Sequence, residues 1–476
     1  MTETADVDSE GILFHPFCFA SIRRQIIDTY LFLASPGIDE EIQQKIINEG
    51  FVQEYKTWKK NSPFLYDMIL RYLRLCFCVC KMLMNYSTAL EWPSLTTQWF
   101  PDLKQPPGEN FTIHRLLIGT HTSTGNDNYL QIANVHIPKN ATPNPDDYDE
   151  SRGEIGGYDS NREQTTIKMN IEQKIDHPGE VNKARYQPQN INIIATMCND
   201  GRVLIFDRTK HSSMPKGICN PQIELIGHTS EGFALSWNPL EAGKLATGSN
   251  DATVRLWDLN NITTTKSPKL KSSRIYEHHK SVVNDVQFQP SHASIIGTVS
   301  DDLTLQILDT RIKGTGSVLS NKEGHTDAIN ALAFNHSSEY LLATASHDKT
   351  IGLWDLRNLS SKIHSLEGHI DAVTSLSWHP TEVAILGSGS YDRRIIFWDL
   401  SRIGEEQLPD DLEDGPPELL FMHGGHTNHL SDFSWNVNEP WVVCSAAEDN
   451  LIQIWKVAEA IVGKDMNEVL VEELEQ

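Results

Sequence analysis

Histidine, serine and aspartate are the residue types of a nucleophilic relay, and this chain sets them at fixed intervals. His369 is followed by Ser390, Asp392 and Trp398, which lie 21, 23 and 29 residues further along. The same spacing relates His228 to Ser249, Asp251 and Trp257, His325 to Ser346, Asp348 and Trp354, and His279 to Ser300, Asp302 and Leu308. Weaker copies begin at His426, with Ala447, Asp449 and Trp455, and at His177, with Cys198, Asp200 and Phe206. An acyl-transfer enzyme needs one such set beside one substrate. A set that recurs serves architecture, so His228, Asp251, His325, Asp348, His369 and Asp392 are read as structural latches and no residue as catalytic. The expected chain of hydrogen bonds runs from the Trp indole to Ser, from Ser to His and from His to Asp, each worth about 1 kcal/mol net.

The elements that must position these residues are short strands. Between residues 368 and 400, AVTSLSWHP alternates apolar and polar residues and stops at a proline, while ILGSGS and RIIFWDL are β-rich runs separated by a Tyr-Asp-Arg turn. Units of roughly 40 to 50 residues with this signature are WD40 propeller blades. Seven of them use nearly all of the 476 residues. The fold class is therefore all-β, a seven-bladed WD40 β-propeller with an N-terminal α-helix and a short C-terminal helix. Blade 1 is expected from Phe111, blades 2 to 6 at His177, His228, His279, His325 and His369, and blade 7 around 426–456. A ring closes when one terminus lends a strand to the blade built by the other, which removes open edges. The strand expected to do this lies at 95–99.

Outside the repeats, residues 1–38 show no periodicity, and 39–68 carry apolar residues at helical spacing. Residues 69–87 match neither flank and read as an insert, of the kind a retained intron would leave. The propeller spans 88–457, interrupted at 401–425 by an acidic loop with two adjacent prolines, and 458–476 form an acidic helical tail. A net charge of -24 excludes a nucleic-acid surface and favours a basic protein partner. Seven cysteines, an odd and scattered set, give no disulfide framework, and the Cys76, Cys78, Cys80 run lacks the partners of a metal site. No segment has the length and composition of a membrane span, and no cofactor is implied.

With EYKTWKKNSPFLYD, ALEWPSLTTQWFP, HRLLIGTHTS, GEVNKARYQPQN, DGPPELLFMHGGHT and SDFSWNVNEPWVVCSAAEDN in view, the chain closely resembles one WD40 subfamily. These are the histone-binding chaperones that include the retinoblastoma-binding proteins, the small subunit of chromatin assembly factor 1 and the type B histone acetyltransferase subunit 2. The resemblance runs from about residue 50 to the final helix and departs from the family at 1–38 and 69–87. It implies a groove on the propeller's side for a helix of histone H4. Its apolar wall would be Phe64, Leu65, Pro416, Pro417, Leu420, Phe421, Met422 and Ile461. Asp410, Asp411, Glu413 and Asp414 would meet histone Arg and Lys residues. An amphipathic basic helix needs an apolar groove rimmed by carboxylates, and this stretch supplies both. The resemblance also implies a site on the ring face for basic peptides such as the histone H3 tail, at Glu180, Asn182, Glu231, Asn284, Asn330 and Glu448.

The function implied is a non-enzymatic histone H3/H4 chaperone and adaptor, resident in the nucleus with some cytoplasmic pool. Its partners would be histones, members of chromatin assembly, acetyltransferase and deacetylase complexes, and centromere-loading factors, with no direct contact to nucleic acid or membrane. The competing reading is a substrate receptor of a cullin ubiquitin ligase, because Trp354-Asp355-Leu356-Arg357 matches the WDxR pattern of such receptors.

Overall fold

Strand-forming runs rich in Val, Ile, Leu and Trp alternate with Gly-, Asp- and Pro-bearing turns, and the computed structural model pairs them into seven sheets arranged as blades, antiparallel but for one added strand. It describes residues 82–122, 126–139, 167–261, 268–314, 319–407, 415–457 and 459–462. The helix expected at 39–68, the first 38 residues, and most of 69–87 and of the acidic tail lie outside the described residues. Blade 6 is representative: Val373–Trp378, Ile385–Ser390, Ile395–Asp399 and Leu419–His423 pair in sequence order. Blade 2 carries a fifth strand, Lys269–Lys271, paired in parallel with Ile223–Ile226.

Ring closure differs from the expectation. The strand that completes blade 7 is Met82–Ala89, paired with Leu451–Val457, and Thr97–Lys104 is instead the inner strand of blade 1. The reason is the strand count. Between Phe111 and His177 lie three strands, and the segment before Phe111 is needed as the fourth. Residues 82–87, read as part of an insert, therefore supply the closing edge.

There is no single core. Among the described residues each neighbouring pair of blades encloses its own apolar wedge, such as Ala331, Leu353, Val373 and Trp398 between blades 5 and 6. Trp99, Ile118, Val442 and Ile454 fill the seam between blades 1 and 7. Polar ties run across the seams close to the channel. Backbone N–H groups of one inner strand donate to side chains of the preceding blade: Thr97 to Asp432, Ala184 to Thr96, Phe288 to Ser236 and Leu332 to Asp285. At the remaining seams an indole serves instead. Trp237, Trp378 and Trp435 donate to the carbonyls of Arg185, Ala333 and Ser377. These ties satisfy inner-strand groups that would otherwise face the channel as an open edge.

The latch is present, with its hydroxyl at a different position. In blade 5 the indole of Trp354 donates to Thr344 Oγ1 at 2.7 Å, which bonds His325 Nε2 at 2.8 Å, and His325 Nδ1 bonds Asp348 at 2.9 Å. Blades 3 and 6 repeat this with Thr247 and Ser388. The hydroxyl that joins Trp to His is thus 19 residues after the histidine, and the serine expected in that role does something else. Ser346 Oγ donates to the Asp327 carbonyl and accepts from the Asp348 N–H, which fixes the turn. Strand register explains the correction. Trp398 lies opposite Leu386, two residues from Ser388 but four from Ser390, or about 13 Å at the rise of a strand.

Each latch also fixes a protonation state. The aspartate carboxylate can only accept, so Nδ1 carries the proton of the neutral ring and Nε2 is left to accept from the hydroxyl. Burial holds the His325 imidazole below its usual pKa despite Asp348, and keeps it neutral. Burial alone would raise Asp348, but hydrogen bonds from His325 and Thr350 outweigh it and hold the carboxyl well below the carboxylate range. Blade 7 departs from this pattern: Asp449 accepts from Thr427, leaving His426 bonded to Ser445 alone.

Two outcomes are expected. Thr344→Val leaves both the Trp354 indole and His325 Nε2 unpaired in the interior, so it lowers unfolding stability by about 2–4 kcal/mol, against about 1 kcal/mol for Ser346→Ala; urea midpoints of the two variants measure the order. Stability should also fall on acidification. Burial depresses His114, His177 and His426 to about 4 and His278, His379 and His423 to about 3. Their contribution is complete above the unfolded value near 6.5 and is lost as pH falls below it, at about 1.4 kcal/mol per pH unit for each neutral histidine. Asp285, raised by burial to about 6, has the opposite sign but is one group against six. The urea midpoint should therefore be lower at pH 5 than at pH 7, and an unchanged or higher midpoint contradicts the assignment.

Candidate interaction surfaces

On the propeller's side, Leu419–His423 is the outer strand of blade 6, and a bulge between Phe397 and Trp398 breaks its register. The bulge divides its side chains between two faces. Leu420 and Phe421 pack with the blade 6/7 wedge, joined there by Ile461 and Val462 of the short helix Glu459–Val462. Leu419 and Met422 pack against the blade 5/6 wedge instead. The expected apolar wall is therefore not one surface. Leu420 and Ile461 remain half-buried on one side, Met422 belongs to the other, and Phe421 is 4% exposed, with its ring against Phe397 and Trp455. Phe421 thus belongs to the core.

Pro416 and Pro417 are half-buried, and the Leu419 N–H donates to the Pro416 carbonyl to form the turn into the strand. Glu418 is buried and paired with His364 at 2.9 Å. Gln407 Nε2 donates to the Gly415 carbonyl at 3.0 Å, which ties together the two ends of the acidic loop. Asp410, Asp411, Glu413 and Asp414 lie within that loop, and Phe64 and Leu65 in the N-terminal segment; all six are outside the described residues.

On the ring face, the residue just before the turn aspartate is pinned by a backbone bond in blades 3 to 7. Asn250, Asp301, His347, Tyr391 and Glu448 donate their N–H groups to the carbonyls of Glu231, Val282, Ala328, Ala372 and His429. Sequence reasoning selects only Glu448 and Glu231 from this set. The others were detectable, since they sit at one offset between two constant residues. The His429 ring lies tilted against Tyr391, centroids 4.7 Å apart, and donates Nδ1–H to its carbonyl. Glu180 lies 3.4 Å from His121.

The three asparagines expected on this face have structural partners. Asn182, Asn284 and Asn330 donate to the carbonyls of Gly232, Ile329 and Val373 in the next blade. They open the inner strands, where the neighbouring blade is closest. Below them the channel holds a buried charge cluster in which Asp432 accepts from Arg185 at 3.0 Å and lies 3.5 Å from Lys183. Among the described residues no three His, Cys, Asp or Glu side chains gather as a metal site, and none of the helices is long and apolar enough to cross a membrane. In the WDxR stretch, the Arg357 guanidinium pairs with Asp355 and lies over the Tyr340 ring at 4.6 Å, and Arg311 pairs with Asp309 in the same way one blade earlier.

Comparison with known proteins agrees with this architecture. Residues 82–139 match the family model of the histone-binding protein RBBP4 and its counterpart in the CAF1 complex. Five WD-domain G-beta repeats match at 219–258, 270–309, 316–355, 360–399 and 417–456. The chain is 64% identical over 437 residues to histone acetyltransferase type B subunit 2 of Aspergillus oryzae, covering 91% of this chain and 95% of that protein. The chain belongs to this family of WD-repeat proteins. Proteins of the same name from Neurospora crassa and Gibberella zeae are 64% and 62% identical, over 92% of this chain and 94% and 96% of their own lengths.

The packing of Phe421 generates an expectation. Phe421→Ala should destabilise the propeller by about 3–5 kcal/mol, seen as a lowered urea midpoint, so any loss of partner binding in that variant reports unfolding. A midpoint within about 1 kcal/mol of the unaltered protein would return Phe421 to the surface.

Proposed function

We propose that this chain is the histone-binding, non-catalytic member of a nuclear type B histone acetyltransferase complex. It presents histones H3 and H4 to that enzyme and to chromatin assembly factors. The reading is supported by extensive identity to relatives named as the second subunit of that enzyme, by the match to the histone-binding family model, and by the side of blade 6. There the tied base of a loop carrying four carboxylates opens beside half-buried Pro416, Pro417, Leu420 and Ile461. An amphipathic basic helix such as that of H4 would place its apolar stripe on these residues and its Arg and Lys side chains against the loop. The ring face, with Glu231, Asp301 and Glu448 around the channel, would take an extended basic segment such as the H3 tail.

Binding of the purified full chain to an H4 helix peptide tests the side groove. Changing Asp410, Asp411, Glu413 and Asp414 together to their amides should weaken binding by about tenfold or more and flatten its salt dependence. Leu420→Asp should weaken it comparably, while Glu231→Gln should affect an H3-tail peptide alone. Binding of the H4 peptide that ignores both groove variants contradicts the proposal.

A further inference from the structure

At the seam where the closing strand of blade 7 hands over to blade 1, the two blades do not fill the space between them. A cavity of about 410 Å³ lies there, bounded on one side by Thr88 to Trp92 and on the other by Tyr129, Gln131, Met169, Ile171 and Lys174. This volume is in the range of small-ligand sites. It is separate from the groove on blade 6, and the channel-face residues named above do not line it.

Gln131 marks the cavity as polar. Its side chain is 8% exposed and lines the space. The next residues on the same face of the strand, Ala133 and Val135, are packed into the blade 1/7 wedge. The Gln131 amide lines this space with its polar atoms open to solvent, so a ligand's N–H donor can take the place of water there. Tyr129 and Trp92 contribute aromatic rings, and Leu90, Met169 and Ile171 contribute apolar surface. Glu91 and Asp127 add carboxylates, Asp127 accepting from the Tyr129 hydroxyl. Lys174 lies over the Tyr129 ring at 5.6 Å. Two carboxylates against one ammonium leave the lining one negative charge in excess.

We propose that this seam cavity is a binding site for a single arginine side chain of a basic partner peptide. One guanidinium balances the charge of the lining. Its planar face stacks on aromatic rings, its methylene stem suits the apolar wall, and its several N–H donors can serve the Gln131 carbonyl oxygen and the carboxylates together. A lysine would bring the charge without the planar donor set. The inference does not depend on which protein supplies the arginine or on either histone surface.

The test is photo-crosslinking of the full chain to a short Gly/Ser peptide carrying one arginine beside a benzoylphenylalanine, with crosslinked fragments mapped by mass spectrometry. The same peptide with citrulline keeps the shape and removes the charge. The arginine peptide should label segments 88–92 and 126–131, and citrulline should lower that labelling about tenfold, the scale of one charge-assisted hydrogen bond. Gln131→Leu and Asp127→Asn should each lower it several-fold, while the ring-face variant Glu231→Gln leaves it unchanged. Equal labelling by the citrulline peptide, labelling confined to the ring face, or no labelling at either segment overturns the proposal. So does a Gln131→Leu protein that is more stable yet labels as before, since the cavity would then be a packing gap.

Discussion

A hydroxyl group buried between an indole and an imidazole sets the geometry of this molecule. Thr247, Thr344 and Ser388 each accept from a tryptophan of their own sheet and bond the histidine that enters the blade. The group can satisfy both partners only if strand, entry segment and turn occupy fixed places, because hydrogen bonds weaken steeply with misalignment. The turn that carries the aspartate is fixed in the same act, and so is the carbonyl to which the next exposed residue is pinned. Blade 4 has Leu308 in place of the indole, and there Thr298 keeps its bond to His279 Nε2 at 2.9 Å.

A body built from wedges between blades has little freedom to change shape, so its functional differences reside in what is attached to it. The ties across the seams hold the inner strands, and the outer strands and their connections are left to vary. The acidic loop after blade 6 is such an attachment, anchored by one hydrogen bond at its base and by the buried Glu418–His364 pair just beyond. Its charge adds to an already strongly acidic chain, which suits attraction of a basic partner from a distance and its release at high salt.

Much of this was legible in the sequence. The offsets from histidine to aspartate and tryptophan gave the blades, because those residues are rare enough in type to stand out. The bridging hydroxyl was misplaced because two hydroxyl-bearing positions flank the same strand end, and only the hairpin register separates them. Met82–Ala89 escapes recognition as the closing strand because MLMNYSTA continues a run unlike either flank and carries no turn residue at its start, although Tyr86 packs on the blade 1/7 wedge and the strand pairs along Leu451–Val457. The division of Leu420, Phe421 and Met422 between two faces depends on a bulge, which inserts a residue without any sequence mark of its own. Asn182, Asn284 and Asn330 looked available because their offset places them at the ring face, but a short amide at the start of an inner strand reaches the adjacent blade before it reaches solvent.

Under the proposed function, a rigid latched ring engages histones through two separate surfaces, one beside the acidic loop and one around the channel. Hydrogen–deuterium exchange of the full chain with and without an H3–H4 dimer tests it most directly. The account predicts added protection in the loop and in strand Leu419–His423, and separately in the blade turns that carry Asn250, Asp301, Tyr391 and Glu448, with exchange in the latched inner strands unchanged. Protection concentrated on the outer edges of blades 2 to 4, or spread through the inner strands, would contradict it.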